Sequence, residues 1–356
     1  MKSVLSFTFI LATILSGSAF AQQFDFFEPT TTIGGYGELH YNNDKVENED
    51  YKSTLDFHRF VIFLGHNWTE KFSFRAELEL EHNFVEEGQG ELELEQAFVN
   101  YHHSNYLGVQ AGVLLVGAGL INEYHEPPRF LSVERPVYHN LIIPTTWFGN
   151  GAAVYGSTEG MEYRFTLMEG LNSDKISSSS AIRSARQKGF KADAENFLYN
   201  FKLDYTNLPG FRIGGSFTYN NANGDSTNIA VSLAEFHAQY QAHNIYGVFE
   251  FGNISYSNGD LKASRGFYAD LGYDVGSLIC DNQKLIPFVR YSDINTSADT
   301  ESGGVSEDVF HFTEILFGIS YLPIDNVAIK IDYNQRDYKG GGITTNSLNL
   351  GVGYMF

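Results

Sequence analysis

Cysteine is nearly absent: Cys280 is the single one in 356 residues. One thiol closes no intrachain disulfide, which excludes the crosslinked framework of small exported domains. Long apolar runs are missing too, since no segment beyond residue 21 approaches the roughly twenty apolar residues that a membrane-crossing helix needs. Positive charge is scarce, with 23 Lys and Arg against 43 Asp and Glu and a formal net charge of −20. That balance argues against nucleic acid as a partner, because phosphate binding needs a basic surface. Proline numbers only eight and tryptophan two, whereas aromatics reach 15%, almost all Phe and Tyr, and glycine numbers 35.

Residues 1–21 read as a cleavable export signal. Lys2 supplies the positive start and Val4 to Leu15 the apolar core. Ala19-Phe20-Ala21 places small residues ahead of a cut before Gln22. The core is too short for a permanent anchor. Cleavage removes only Lys2 from the 23 basic residues, leaving 22 against 43 acids and a net charge of −21. No plug domain precedes the first strand, which argues against an energy-coupled transporter.

What is abundant is alternation. Phe72, Phe74, Ala76, Leu78 and Leu80 interleave with Ser73, Arg75, Glu77, Glu79 and Glu81. Val327, Ile329, Ile331 and Tyr333 interleave with Ala328, Lys330, Asp332 and Asn334. In a strand the two sets point to opposite faces, so the mature chain is all-β. Seven short turns, such as 67–71, 103–106 and 325–326, alternate with eight longer polar connections. The longer ones fall at 42–52, 85–90, 119–150, 172–195, 221–228, 258–266, 296–308 and 339–345. These imply about 16 strands of about ten residues, the length that crosses a bilayer when tilted.

The expected fold is therefore a transmembrane antiparallel β-barrel over residues 22–356. Closure removes the edges that an open sheet would expose. A soluble sandwich also has one apolar face per strand, but rarely needs so many evenly spaced hairpins. The last strand favours the barrel, since Leu348, Leu350, Val352, Tyr354 and Phe356 alternate with Ser347, Asn349, Gly351, Gly353 and Met355. Tyr354 and the final Phe356 resemble the insertion signal of bacterial outer-membrane barrels. In the second strand Asp56, His58 and Arg59 fall on conflicting faces, which suggests a β-bulge.

With the apolar set against lipid, the polar set faces inward. The expected wall includes Glu38, Arg75, Glu77, Glu79 and Glu81. Further along it holds Glu162, Asp204, Glu235, Glu250, Asp270, Asp274, Glu314 and Asp332, with Arg164, Lys202, Arg212, Arg290 and Lys330. Unpaired charges resist burial, and a barrel of this size leaves an aqueous channel, so a wet lumen is expected. Glu91, Glu93 and Glu95 run opposite Glu77 to Glu81. A solvated wall, a cation-attracting surface or a weak divalent-ion site fits them, and no spacing among them is specific enough to claim a metal.

One segment breaks the pattern. Residues 119–150, GLINEYHEPPRFLSVERPVYHNLIIPTTWFGN, hold Pro127, Pro128, Pro136 and Pro144. Proline removes a donor and fixes φ, which rules out a regular helix or a central strand. Phe130, Leu131, Leu141, Ile142, Ile143 and Trp147 are too apolar for disorder. An ordered loop is expected, with Glu123, His125, Glu126, Arg129, Glu134 and Arg135 as its pore-facing charges. These charges can pair with one another or the wall, and can also set up a transverse field.

Metal and catalytic chemistry are not expected. His82, His102, His103 and His125 lie on different elements without ligand spacing. No GxSxG-like nucleophile context occurs, and FGNGAAVYG precedes no helix that would cradle phosphate.

GGYGELHY at 34–41, INEYHEPPRF, VERP and IIPTTWFGNG resemble the phosphate-selective porin O/P superfamily in its Bacteroidota-type branch. The resemblance implies an outer-membrane barrel, usually a homotrimer, whose third long loop folds into the lumen as a constriction, here 119–150. Phosphate selectivity in the named members depends on a lumen rich in Arg and Lys. This wall is acid-rich, so the resemblance does not extend to the substrate. The expected function is passive diffusion of small polar solutes and ions with a mild cation preference. A channel specific for phosphate, another anion or an oligosaccharide stays open, as does a non-conducting barrel acting as adhesin or enzyme.

Overall fold

The computed structural model describes residues 27–276, 282–301 and 308–356; the export signal expected at 1–21 and Cys280 lie outside them. Among the described residues the strands are β1 (Thr30–Val46), β2 (Lys52–Asn67), β3 (Phe72–Glu81), β4 (Leu92–Ser104) and β5 (Leu107–Leu115). Then come β6 (Phe148–Thr158), β7 (Met161–Met168), β8 (Leu198–Tyr205), β9 (Phe211–Ala222), β10 (Ile229–Ala242) and β11 (Ile245–Tyr256). The last five are β12 (Leu261–Tyr273), β13 (Lys284–Thr300), β14 (His311–Ile324), β15 (Val327–Tyr338) and β16 (Thr344–Met355). Each pairs antiparallel with its sequence neighbours, and β1 pairs with β16 to close a barrel of sixteen strands. Closure satisfies the backbone of every edge, the condition for crossing hydrocarbon with strands.

The two faces are inverted relative to a soluble protein. Ile329 and Ile331 are 46% and 42% exposed, while Lys330 and Asp332 between them are 4% and 2%. The apolar row points outward and the polar row inward, as lipid outside and polar groups inside require.

Register explains the conflict in β2. Glu38 pairs with Arg59 and Leu39 with Phe57, so His58 is an inserted residue. The bulge shifts parity and leaves both Asp56, opposite His40, and Arg59, opposite Glu38, on the inward side.

Strand ends depart from the sequence reading. β1 continues to Val46, β13 to Thr300, and β12 already begins at Leu261, so the connection read at 258–266 is the short turn 257–260. Polarity on both faces marks where a strand leaves the apolar band, not where its hydrogen bonding stops. Asp274 is a second correction: it lies past β12, not in the wall. Its Oδ1 accepts from Gly276 N at 2.9 Å and Leu285 N at 3.0 Å, capping a turn.

Two connections are long, 116–147 and 169–197. The first holds a 3-10 turn at Pro127–Arg129 and a single helical turn at Tyr138–Leu141. That turn starts just beyond Pro136, whose carbonyl accepts from His139 N at 2.8 Å, so proline blocks a long helix but permits one turn. A buried apolar cluster joins the two loops to the wall through Tyr138, Ile142, Ile143, Trp147, Ile182, Leu198, Leu233, Ile254 and Tyr268.

Candidate pore site

Loop 116–147 is bonded to inward-facing groups on strands all around the ring. Near its start, Lys202 of β8 donates to Gly119 O at 2.9 Å and Glu123 Oε2 at 2.8 Å. On β11, Glu250 accepts from Leu120 N at 3.1 Å and meets His139 Nε2 at 2.7 Å. On β15, Lys330 donates to Pro127 O at 2.6 Å and Ser132 O at 2.8 Å, while Asp332 accepts from Val133 N at 2.6 Å. On β13, Arg290 donates to Ser132 Oγ at 2.7 Å. Asn122 ties the neck: it donates to Val116 O at 2.8 Å and accepts from Trp147 N at 2.7 Å.

Inward glycines make room for this contact. A Cβ on Gly353 would lie 2.3 Å from Pro127 Cβ, and one on Gly252 would lie 2.7 Å from both Tyr138 Oη and Ile142 Cγ2. Both glycines are places where the wall yields to the loop backbone.

Each expected loop charge has a definite setting. Glu123 pairs with Lys202 and lies 3.9 Å from Arg164. His125 is buried, with Nε2 at 3.2 Å from Glu77 and 3.4 Å from Glu95. Burial would lower its pKa, but the facing carboxylates outweigh that and hold it at about 10. Glu126 approaches Arg129 at 3.8 Å, and the Arg129 side chain is 58% exposed. Glu134 Oε1 meets His40 Nδ1 at 2.9 Å and accepts from Asn42 at 3.1 Å. Burial opposes ionisation of Glu134, yet the His40 bond prevails and brings it to about 2. Arg135 reaches Thr146 Oγ1 at 3.4 Å, while its Nε and Nη2 are buried without a hydrogen-bond partner among the described residues.

The wall residues divide by depth. Glu38 is buried and bonded to Arg59 Nε at 2.7 Å; Glu77 and Glu79 are buried. Glu81 is half-buried and Arg75 exposed. Tyr354 pairs in register with Gly37, and the backbone of Phe356 exchanges hydrogen bonds with Gly35. Many wall charges are thus already paired, either across the wall, as Arg290 with Asp270, or through the loop. This corrects the premise that they stand unpaired in water.

The second long loop, whose sequence leaves open a short helix or a mobile segment, holds 3-10 turns at Ser173–Lys175 and Arg183–Ala185 and brings Arg183 and Arg186 to the first loop. Arg186 donates to Pro144 O at 2.7 Å and also bonds Thr146 O, and Arg183 donates to Thr145 O at 3.0 Å. Burial and then the neighbouring Arg183 push Arg186 down to about 10. Lys188 bridges Glu91 and Glu93. Their basic cluster at 183–191 was the available signal, but not which carbonyls it would meet.

Loop and wall together line at least three cavities, one of them, about 320 Å³, bordered by Glu123, Tyr124, Glu162, Arg164, Lys202 and Arg212. A second, of about 830 Å³, is bordered by Tyr124, Arg129, Phe130, Arg212, Asp270 and Asp325. A third, about 250 Å³, is bordered by Asp44, Glu134, Arg135, Arg290, Glu314 and Arg336.

Residues 34–249 match the family described as phosphate-selective porin O and P. A protein of Aquifex aeolicus (strain VF5), described as uncharacterized, is 32% identical over 338 residues, covering 86% of this chain and 76% of its own. Among solved structures, Salmonella typhi OmpF in complex with daunomycin superposes with a TM-score of 0.64 at 13% identity, covering 92% of this chain and 97% of that one. An anion-selective porin from Comamonas acidovorans superposes at 0.61 with 11% identity, covering 92% of this chain and 100% of that one. At such identities the two structures speak to the fold alone. The family match, spanning more than half of the sequence and agreeing with a closed sixteen-stranded barrel, shows that the chain belongs to the phosphate-selective porin O and P family of outer-membrane channels.

Proposed function

We propose that the protein is a passive diffusion porin for small polar solutes and ions, narrowed by loop 116–147 lying within the lumen. What supports this is that one segment bonds to inward groups of β1, β3, β8, β11, β13 and β15, strands spread around the whole ring. Exclusion then rests on size and on the charges that stay accessible, Arg129 foremost. Acids exceed bases along the inward face, which favours cations at the mouths. By analogy with its family, the working unit is a homotrimer; cross-linking followed by denaturing electrophoresis tests that.

The experiment for selectivity is the single-channel reversal potential under a salt gradient. A modest cation preference is expected, strengthened in Arg129→Ala. Clear anion selectivity overturns the electrostatic part and favours a second reading, a channel for an anionic solute. The observation behind that reading is the buried, unpartnered Nε and Nη2 of Arg135, on the loop whose 144–146 carbonyls hold Arg183 and Arg186.

A further inference from the structure

Histidines dispersed in sequence converge where the end of β3 meets the middle of β1 and β2. We infer that Asp56, His58 and His82 form a binding site for a first-row divalent transition ion of the zinc class. His58 Nδ1 lies 3.1 Å from Asp56 Oδ2, and His82 Nδ1 lies 2.8 Å from the same oxygen. One ligand atom from each of the three falls within 4.8 Å of the others. Metal–ligand bonds of about 2.1 Å at tetrahedral angles set neighbouring donors about 3.4 Å apart, so small side-chain adjustments suffice. Two imidazoles with one carboxylate suit zinc, cobalt or nickel, whereas calcium and magnesium prefer all-oxygen sets.

The backbone builds this cluster at two special places. The β2 bulge inserts His58, and His82, just past β3, adopts a left-handed φ of 55°, followed by Asn83 at 65°. His82 N also bonds His58 O at 3.2 Å, holding the turn over β2. A support lies behind the ligands: the His40 ring stacks on His58 at 4.8 Å, and His40 is fixed by Glu38 and Glu134. Such outer contacts orient metal-binding imidazoles. The His82 side chain is 45% exposed, so an ion can enter from solvent. Two further triads occur among the described residues: His40, His58 and Glu134 share His58 with this site, with His40 and Glu134 already bonded to each other, and in Glu77, Glu95 and His125 all members are buried and the histidine is already engaged by both acids.

The test uses the full-length protein in detergent micelles at pH 7.5, titrated calorimetrically with zinc chloride alone. Cobalt(II) absorption reports coordination in parallel. One zinc per chain is expected, with visible bands of low-coordinate cobalt. His82→Asn, which tolerates the left-handed backbone, and His58→Gln should each weaken binding at least tenfold. His102→Ala/His103→Ala, remote from the cluster, should leave it unchanged. No zinc binding by the wild type, or equal binding by the His58→Gln/His82→Asn variant, overturns the proposal. Heat-shifted gel mobility verifies that each variant is folded.

Discussion

Arg290 is 1% exposed and makes a forked contact with Asp270, Nε to Oδ1 at 2.6 Å and Nη2 to Oδ2 at 2.7 Å. Its remaining arm, Nη1, goes to Ser132 of loop 116–147 at 2.7 Å. The planar fork matches a carboxylate in a way that lysine cannot. Removing one partner of a buried pair leaves the other uncompensated, at a cost of roughly 3–5 kcal/mol. Arg290→Ala should therefore lower unfolding stability by about that amount, measured by denaturant titration in lipid vesicles. Arg290→Ala/Asp270→Asn should recover a large part, because no orphan charge is left. A double variant as unstable as the single one would show that the loss comes from packing and the Ser132 contact instead.

At the scale of the element, loop 116–147 is held by ion pairs whose protonation sets a pH window. His125 is held at about 10, above its ordinary 6.5, so its contribution is complete below 6.5 and is lost as pH rises through about 10. Glu134 is held at about 2, below its ordinary 4.5, so its contribution is present above 4.5 and is lost as pH falls through about 2. Trp147 is buried in the same loop and, with Trp68→Phe as background, reports its release. Its fluorescence should shift to the red as pH passes about 10, beyond any change in His125→Gln, which serves as the control for tyrosine ionisation. Superimposable curves would rule out His125 as a tether. Much of this element was legible only in part. Strand faces follow from neighbouring residues, so alternation reveals them; the pairings of Lys202 with Glu123 or Lys330 with Pro127 join distant segments, which no local pattern encodes. Asp56, His58 and Arg59 exposed the β2 conflict, but the site of the bulge needed the partner register. Gly252 and Gly353 did carry a signal, since an inward glycine among charged neighbours marks where another backbone approaches.

For the whole molecule, the outward apolar rows make a quantitative demand. Ile331 sits midway along β15, 42% exposed, and Gln335 lies on the same outward row near the end of the strand. If hydrocarbon surrounds the barrel, arginine at the middle costs about 2–4 kcal/mol and near the interface about 0–1 kcal/mol. A detergent-free folding equilibrium in vesicles should therefore separate Ile331→Arg from Gln335→Arg by at least about 1 kcal/mol. Lys330, on the inward row next to Ile331, supplies the contrast: its ammonium is bonded to two loop carbonyls and lies 3.9 Å from the Phe130 ring centre. Lys330→Met removes those bonds without touching lipid, so its penalty should be the same in thin and thick bilayers. The Ile331→Arg penalty should instead fall as the bilayer thins, because a thinner slab brings the guanidinium nearer to water. Equal penalties for Ile331→Arg and Gln335→Arg in every bilayer would mean that the exposed apolar row does not meet hydrocarbon, and the membrane-spanning assignment would fail with it.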